Sequence, residues 1–266
     1  MRKILVFTDL HFTEAGQGIG HLDPATRFRD GLTHALAQFG DAERVIITGD
    51  LTHHGHIAQF ERLRDTLTDC PLPVHLMLGN HDTRANFRAV FPDAPLTPNG
   101  FVQQIIDSDD YRLILLDTLE ETHEVPHSGR LCAARLNWLD RALGDAGQRR
   151  VIIFMHHPPM DVGFPAMDEI GLSNKDAVLK LLNSHANTCQ IVSGHVHRTI
   201  SGTAAGIPTA IFKSTCHQAP MMLTDASAHA SVDEPGAYGV LLLGTDGVIV
   251  HSEDFGLTDR REIVYA

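Results

Sequence analysis

VHLMLGNHD, residues 74–82, is the stretch that decides the fold, because a run typical of a buried strand leads directly into four turn-forming or reactive residues. Gly79 lets the backbone turn at the strand end, and Asn80 offers a neutral amide oxygen. His81 can move a proton near neutral pH, and Asp82 can orient an imidazole. Taken alone, the stretch has two interpretations, an active-site loop or an ordinary strand-ending turn, since Gly, Asn and Asp all favour turns.

Upstream of this stretch, apolar runs alternate with segments of helical periodicity. The runs at 4–7 and 45–48 are typical of buried parallel strands, and apolar side chains recur at helical spacing over 25–39 and 57–67. With the strand at 74–78, the order is strand, helix, strand, helix, strand. This order indicates parallel strands joined by crossover helices.

Downstream, the alternation continues and then changes character. The pattern predicts helices at 84–90, 130–143 and 174–186, and strands at 101–106, 111–117, 151–155 and 190–193. From residue 199 onward, short strands at 207–213, 239–243 and 248–252 favour a second sheet packed on the first. We therefore predict an α/β fold in a single domain over 1–266, with a small cap or insertion at about 218–236.

Composition excludes several classes of protein. The 266 residues carry a formal charge of −12 with 43% hydrophobic residues, which is typical of a soluble globular protein and argues against a nucleic-acid or anionic membrane partner. There is no apolar run long enough for a secretory signal or a membrane span. The four cysteines are widely spread, which argues against a thiolate zinc site or a disulfide framework and favours the cytoplasm. The sequence leaves open whether the chain forms a homo-oligomer.

Polar clusters follow five of the predicted strands. In open α/β sheets ligands gather at the carboxyl ends of the strands, so residues far apart in sequence converge there. Carboxylate, imidazole and amide groups without thiolates suit divalent ions such as Mn, Fe, Zn or Co. Seven such ligands are too many for one ion and suit two, with one carboxylate as the bridge. The seven candidates are Asp9, His11, Asp50, Asn80, His156, His195 and His197.

The motifs and their order along the chain resemble those of the calcineurin-like metallophosphoesterases. The resemblance covers residues 4–217 and is strongest to the bacterial branch of class III cyclic-nucleotide phosphodiesterases and glycerophosphodiesterases, in which a segment like Ser214-Thr215-Cys216-His217-Gln218 follows the last motif. The motifs are Asp9-x-His11, Gly49-Asp50, Gly79-Asn80-His81-Asp82, His156-His157-Pro158-Pro159 and Gly194-His195-x-His197.

The resemblance implies a fold and a division of the ligands. The implied fold is a four-layer αββα sandwich of two mixed sheets flanked by helices. The first metal would be held by Asp9, His11, Asp50 and His197, and the second by Asp50, Asn80, His156 and His195. Asn80, His81 and His217 are implied substrate contacts. His53 and His54 depart from the polar residues expected after Gly49-Asp50-Leu51-Thr52, so the rim facing the substrate is expected to differ.

Several other residues carry hypotheses of their own. We expect His81 to bind a phosphoryl oxygen or protonate the leaving group, with Asp82 or another carboxylate holding its ring; the alternative is a loop-supporting histidine. We expect His157 to support its neighbour and Asp117 to make a structural hydrogen bond. The remaining histidines considered are expected to be surface or packing residues: His53, His54, His56, His75, His123, His127, His185, His229 and His251.

These expectations together predict a metal-dependent phosphoric diester hydrolase acting on 3′,5′-cyclic nucleotides or glycerophosphodiesters. A water between two divalent ions loses a proton near neutral pH, and the hydroxide attacks phosphorus. We expect manganese or iron, although zinc and cobalt accept the same ligands. Two alternatives stay open: a phosphomonoesterase or nucleotide pyrophosphatase using the same site, and an inactive metal-dependent binding protein.

Overall fold

The computed structural model describes residues 1–122, 124–223 and 230–257, which form eleven strands and six helices. The strands are β1 (Arg2–Phe7), β2 (Arg44–Ile47), β3 (Val74–Leu76), β4 (Gln104–Asp107), β5 (Tyr111–Leu116), β6 (Arg150–Met155), β7 (Thr188–Ser193), β8 (Ile200–Ala204), β9 (Ile207–Ile211), β10 (Ala237–Leu243) and β11 (Val248–Asp254). The helices are α1 (Pro24–Gln38), α2 (Ile57–Leu67), α3 (Arg84–Val90), α4 (Ala133–Gly144), α5 (Pro165–Glu169) and α6 (Lys175–Asn183).

The strands form two mixed sheets. The first has the order β11-β10-β1-β2-β3, with β1, β2 and β3 parallel and the other two pairs antiparallel. The second has the order β4-β5-β6-β7-β9-β8, with a parallel centre and an antiparallel strand at each edge. The parallel strands β1, β2 and β3 of the first sheet and β5, β6 and β7 of the second alternate with helices, as predicted, whereas β9 is reached through β8.

Three apolar layers hold the sheets and helices together. Ile4 and Val6 of β1 face the second sheet and pack in the same cluster as Phe154 of β6. Leu5 and Phe7 point the other way, into the cluster under the helices that follow β1 and β2. Because β1 is covered on both faces, its sequence is a continuous apolar run rather than an alternating one. A third cluster lies between the second sheet and its helices, so the predicted αββα sandwich is confirmed.

The structure corrects how the C-terminal strands are distributed. The strands after residue 199 do not form a separate sheet: β8 and β9 complete the second sheet, and β10 and β11 return to the first. The short elements α5 and β8 were not predicted, because neither is long enough to show a clear period. Periodicity identifies strands but does not specify their partners.

The predicted cap at 218–236 lies only partly within the described residues. Gln218 and Val232 exchange two backbone hydrogen bonds of 3.0 and 2.9 Å, so the described ends of the segment lie side by side. Residues 224–229 lie outside the described part of the chain. Among the helices that the structure describes, none has the length and apolar character needed to cross a membrane.

Candidate active site

The ends of four strands and the loop after β3 bring together the seven side chains predicted as metal ligands. On one side, Nε2 of His11 lies 3.0 Å from Nε2 of His197 and 3.6 Å from Oδ2 of Asp50. Nε2 of His197 also lies 3.4 Å from Oδ1 of Asp9. Ligand atoms of these four residues all lie within 4.8 Å of one another, close enough to surround one ion.

The other side of the cluster shares Asp50. Nε2 of His156 lies 3.4 Å from Oδ2 of Asp50, the same oxygen that faces His11. The side-chain oxygen of Asn80 lies 3.1 Å from Nε2 of His156 and 2.9 Å from Nδ1 of His195. One carboxylate oxygen of Asp50 therefore faces both halves of the cluster, as expected of the predicted bridge.

The hydrogen bonds of two histidines show that the cluster fits a cation. Nδ1 of His156 donates to the carbonyl of Thr48 at 2.9 Å, and Nδ1 of His197 donates to the carbonyl of His217 at 2.8 Å. Because a carbonyl can only accept, each neutral ring keeps its lone pair on Nε2. Those lone pairs face the lone pairs of carboxylate and amide oxygens. Because lone pairs repel one another, this arrangement is stable only with a proton or a metal ion between them. Nε2 of His195 is likewise buried without a hydrogen-bond partner among the described residues.

The backbone of the site is strained where the side chains converge. In the described chain seven residues other than glycine have a positive φ, and five of them belong to the cluster. A left-handed backbone costs an ordinary L-residue about 1–2 kcal/mol, and such conformations concentrate at functional sites. The five are Asp9 (52°), His11 (50°), Asp50 (45°), His195 (72°) and His197 (53°).

Two glycines are needed for clearance. A Cβ on Gly79 would lie 2.2 Å from Oδ1 of Asp50, and a Cβ on Gly194 would lie 1.9 Å from the hydroxyl of Thr8 and 2.7 Å from a carboxylate oxygen of Asp9. The chain does turn at Gly79, whose carbonyl accepts a hydrogen bond of 3.3 Å from the amide of Asp82, although Gly79 is not among the glycines with positive φ. The lack of a side chain also lets the loop after β3 approach Asp50.

Asp82 does not hold the ring of His81. Its buried carboxylate accepts hydrogen bonds from the backbone amides of Leu51, Thr52 and Gly79, each at 3.0 Å, and from the Thr52 hydroxyl at 2.7 Å. Burial, with the negative charge of Asp50 nearby, raises the pKa of Asp82 to about 6. Asp82 joins the loops after β2 and β3, so the predicted support is given to the backbone rather than to an imidazole.

His81 is held by two hydrogen bonds, one from its amide and one from its ring, and its side chain lines the cavity. Its amide donates to Oδ1 of Asp50, and its Nδ1 donates to the carbonyl of His53, both at 2.9 Å. His217 lies on the opposite side, with its ring centre 4.5 Å from that of His197. Both rings line the cavity described below.

His157 and Asp117 lie behind the cluster. Nδ1 of His157 lies 2.8 Å from the hydroxyl of Thr118, and its Nε2 donates to the carbonyl of His127 at 3.0 Å, so both ring nitrogens are engaged. Burial lowers the pKa of His157 to about 3. Asp117 receives two hydrogen bonds of 2.8 Å from Arg84, which confirms its structural role.

Two histidines of the site were not predicted as functional residues, although His53 was expected on the rim that faces the substrate. His53 and His127, expected to be surface or packing residues, line the same cavity as His81. Nδ1 of His127 lies 3.1 Å from the side-chain nitrogen of Asn80, and Nδ1 of His53 lies 3.3 Å from Nδ1 of His11. His53 follows Asp50 closely enough that proximity was a usable signal, whereas nothing in the sequence marks His127. His123 and His229 lie outside the described residues.

The cluster opens into a cavity of about 430 Å³, within the range of small-molecule sites. One wall consists of the histidines and carboxamide of the cluster. The other is largely apolar and is formed by Ala166, Met167, Ile170, Val196 and Ala219. Glu169 lies at its mouth, and the described lining contains no lysine or arginine.

Several known sequences are similar to the sequence of this chain. Residues 2–199 match the profile of the calcineurin-like phosphoesterases. A probable cyclic nucleotide phosphodiesterase of Rhodopseudomonas palustris is 36% identical over 95% of this chain and 92% of its own length. The glycerophosphodiester phosphodiesterase GpdQ of Enterobacter lignolyticus is 28% identical over 86% of this chain and 82% of its own length.

A solved structure shares the fold. The dimetal phosphatase from the zebrafish Danio rerio superposes with a TM-score of 0.72, covering 95% of this chain and 96% of that one. At 19% identity the similarity establishes the common architecture of the two proteins.

Proposed function

The chain belongs to the calcineurin-like phosphoesterase family and is a hydrolase of phosphoric diesters, and we propose that its substrate is a 3′,5′-cyclic nucleotide. The observation that carries the proposal is the 36% identity to a probable cyclic nucleotide phosphodiesterase, which extends over 95% of this chain. Because that similarity spans nearly the whole chain, it includes the rim of the cavity as well as the cluster at its base.

The proposed metal ligands are the seven side chains of the cluster. Two divalent ions held there would supply positive charge to the phosphoryl oxygens and would lower the pKa of a water molecule. We expect manganese or iron to be bound in the cell. Asp9, His11, Asp50 and His197 would hold one ion, and Asp50, Asn80, His156 and His195 the other.

His81 is the proposed catalytic histidine. Its Nδ1 carries a proton because it donates to the His53 carbonyl, so Nε2 is the nitrogen left for the substrate. From the wall of the cavity, the imidazolium form of His81, which carries a second proton on Nε2, can donate to a phosphoryl oxygen or protonate the departing alkoxide and return to the neutral ring. Asn80 and His217 are proposed as further substrate contacts, because their side chains line the same space.

The walls of the cavity favour a small diester of low charge. Because the described lining contains no lysine or arginine, the divalent ions and the histidines are the groups that can balance phosphate charge. A diester carries one negative charge, whereas a nucleotide pyrophosphate carries several that would need cationic partners. The apolar wall formed by Ala166, Met167 and Ile170 offers a surface on which a nucleobase can lie.

Glycerophosphodiesters are the second candidate. The relative from Enterobacter lignolyticus is a glycerophosphodiester phosphodiesterase, and its similarity covers 86% of this chain. Glu169 at the cavity mouth is a group that could pair with the ammonium of a choline or ethanolamine head group.

A side-by-side assay tests the proposal. The purified chain, loaded with Mn²⁺, is given 3′,5′-cyclic AMP, glycerophosphocholine and 4-nitrophenyl phosphate, with the D50N variant as the inactive control. We expect the highest kcat/KM with cyclic AMP. A higher value with glycerophosphocholine establishes the second candidate, and a higher value with the monoester rejects both.

The four cysteines support a cytoplasmic location. Cys70, Cys132, Cys189 and Cys216 are all free thiols in the structure. Free thiols are the usual state in a reducing compartment. We propose that the enzyme acts there.

A further inference from the structure

His53 joins the loop after β1 to the loop after β3 through its backbone. Its amide donates to the carbonyl of Phe12 at 3.0 Å, and its own carbonyl accepts from Nδ1 of His81 at 2.9 Å. The rings of His53 and His81 lie nearly parallel, with their planes 11° apart and centres separated by 5.6 Å. The His53 ring is therefore held in a defined place rather than free on the rim.

The ring of His53 lies next to the ring nitrogen of His11 that points away from the cluster. Nε2 of His11 points into the cluster, 3.0 Å from Nε2 of His197 and 3.6 Å from Asp50. The opposite nitrogen, Nδ1, lies 3.3 Å from Nδ1 of His53. When Nε2 of His11 gives its lone pair to an ion, the proton of the neutral ring must be on Nδ1, where it points toward His53.

We propose that His53 is a positioning residue for His11: Nδ1 of His53 accepts the Nδ1–H of His11 and so holds His11 in the tautomer that presents Nε2 to the ion. The inference rests on the proposed function, because it requires an ion at His11. It also determines the tautomer of His53. With Nδ1 as acceptor, the proton of His53 is on Nε2, which makes this ring a donor available to the cavity.

His53 then acts on two histidines by separate routes. Its side chain orients the ligand His11, and its backbone carbonyl orients the catalytic candidate His81. Substituting the side chain leaves the carbonyl in place, so the two routes can be separated experimentally. A partner that orients a ligating histidine typically contributes 10–100-fold to metal affinity.

The test compares H53F and H53N with wild type and with H251A, which removes an exposed histidine on β11. Mn²⁺ affinity is measured by competition with a chelating dye, and the melting temperature is measured in excess EDTA. We expect H53F to bind one of the two Mn²⁺ ions, the one held by His11, about 10–100-fold less tightly. H53N should recover most of that loss, because its amide oxygen can take the position of Nδ1. H251A should equal wild type.

Affinity in H53F equal to that of wild type overturns the proposal, and so does a loss in H53N as large as in H53F. Either result leaves the proposed function standing if wild type binds two Mn²⁺ ions. Wild-type protein that binds no pair of ions rejects the proposed function itself. Should H53F fail to fold, long-range ¹H–¹⁵N spectra of Zn²⁺-loaded wild type decide: protons on Nδ1 of His11 and Nε2 of His53 support the proposal, and the reverse pattern overturns it.

Discussion

His156 and Asp50 form a buried pair, with Nε2 of the imidazole 3.4 Å from Oδ2 of the carboxylate. Burial by itself lowers the pKa of His156, but the attraction of Asp50 and its hydrogen bond outweigh that effect and raise it to about 9. The protein without metal therefore holds a proton at this position at neutral pH. A metal ion that binds Nε2 must displace that proton.

This pair predicts opposite pH dependences for the two forms of the protein. A histidine pKa raised from 6.5 to about 9 stabilises the metal-free fold fully below pH 6.5, and the contribution is lost as the pH rises through 9. At about 1.4 kcal/mol for each tenfold change, the pair contributes on the order of 3 kcal/mol. In EDTA, we expect the stability advantage of wild type over H156N to fall by up to this amount between pH 6 and pH 9.

With saturating Mn²⁺ the sign reverses below about pH 6.5, because the metal-bound native ring carries no proton whereas the unfolded ring does, and above that pH neither carries one and this contribution is constant. The measurement is chemical denaturation of both proteins at several pH values, with and without the ion. A difference between wild type and H156N that stays constant in EDTA from pH 6 to pH 9 contradicts the predicted pair.

Apolar runs locate the site in the sequence because a strand covered on both faces must be apolar throughout, so its first polar residue marks its end. Asp9, Asp50 and His156 lie within three residues of the ends of such runs, and the sheet topology brings these ends together. The contact of Asp82 with Leu51 and Thr52 was not predictable in the same way. The local sequence is the same whether Asp82 only completes a turn or its buried carboxylate joins two loops.

The backbone of the site is also beyond sequence reasoning. A left-handed conformation at His195 or His197 opposes the intrinsic preference of histidine and is imposed by the surrounding packing. The same limit applies to His127, whose approach to Asn80 depends on a loop far from it in sequence. Residues recruited by long-range packing carry no local pattern.

The carboxylate of Asp82 predicts a large stability effect. D82A leaves three buried backbone amides without their acceptor, and each unsatisfied group costs about 1–3 kcal/mol. We expect the free energy of unfolding to fall by at least about 3 kcal/mol in urea denaturation. D65A, which removes an exposed carboxylate from α2, is the control and should change stability by less than about 0.5 kcal/mol. A loss in D82A as small as in D65A would show that the carboxylate does not bridge the loops.

The clearance at Gly194 predicts that even a methyl group disrupts the site. In G194A the new Cβ would meet Thr8 and Asp9, so the carboxylate must move away from His197. We expect Mn²⁺ affinity and diesterase activity to fall at least tenfold. G144A is the matched control, because Gly144 is exposed at the end of α4 and has no heavy atom within 4 Å of its added Cβ. Isothermal titration of both variants with Mn²⁺ measures the difference, and equal affinities would contradict the packing argument.

His81 predicts a dependence on the leaving group. If Nε2 protonates the departing oxygen, its removal costs most where the alkoxide is a poor leaving group and least where it needs no proton. We therefore expect H81A to lower kcat for cyclic AMP by about 100-fold or more, and for bis(4-nitrophenyl) phosphate by much less. H56A removes an exposed histidine that pairs with Glu14 and should behave as wild type with both substrates. An equal loss with the two substrates would assign His81 to binding the phosphoryl oxygen, since that contact acts whichever group leaves. Unchanged kcat with both would leave His81 as a support for the loop after β3, held between Asp50 and His53.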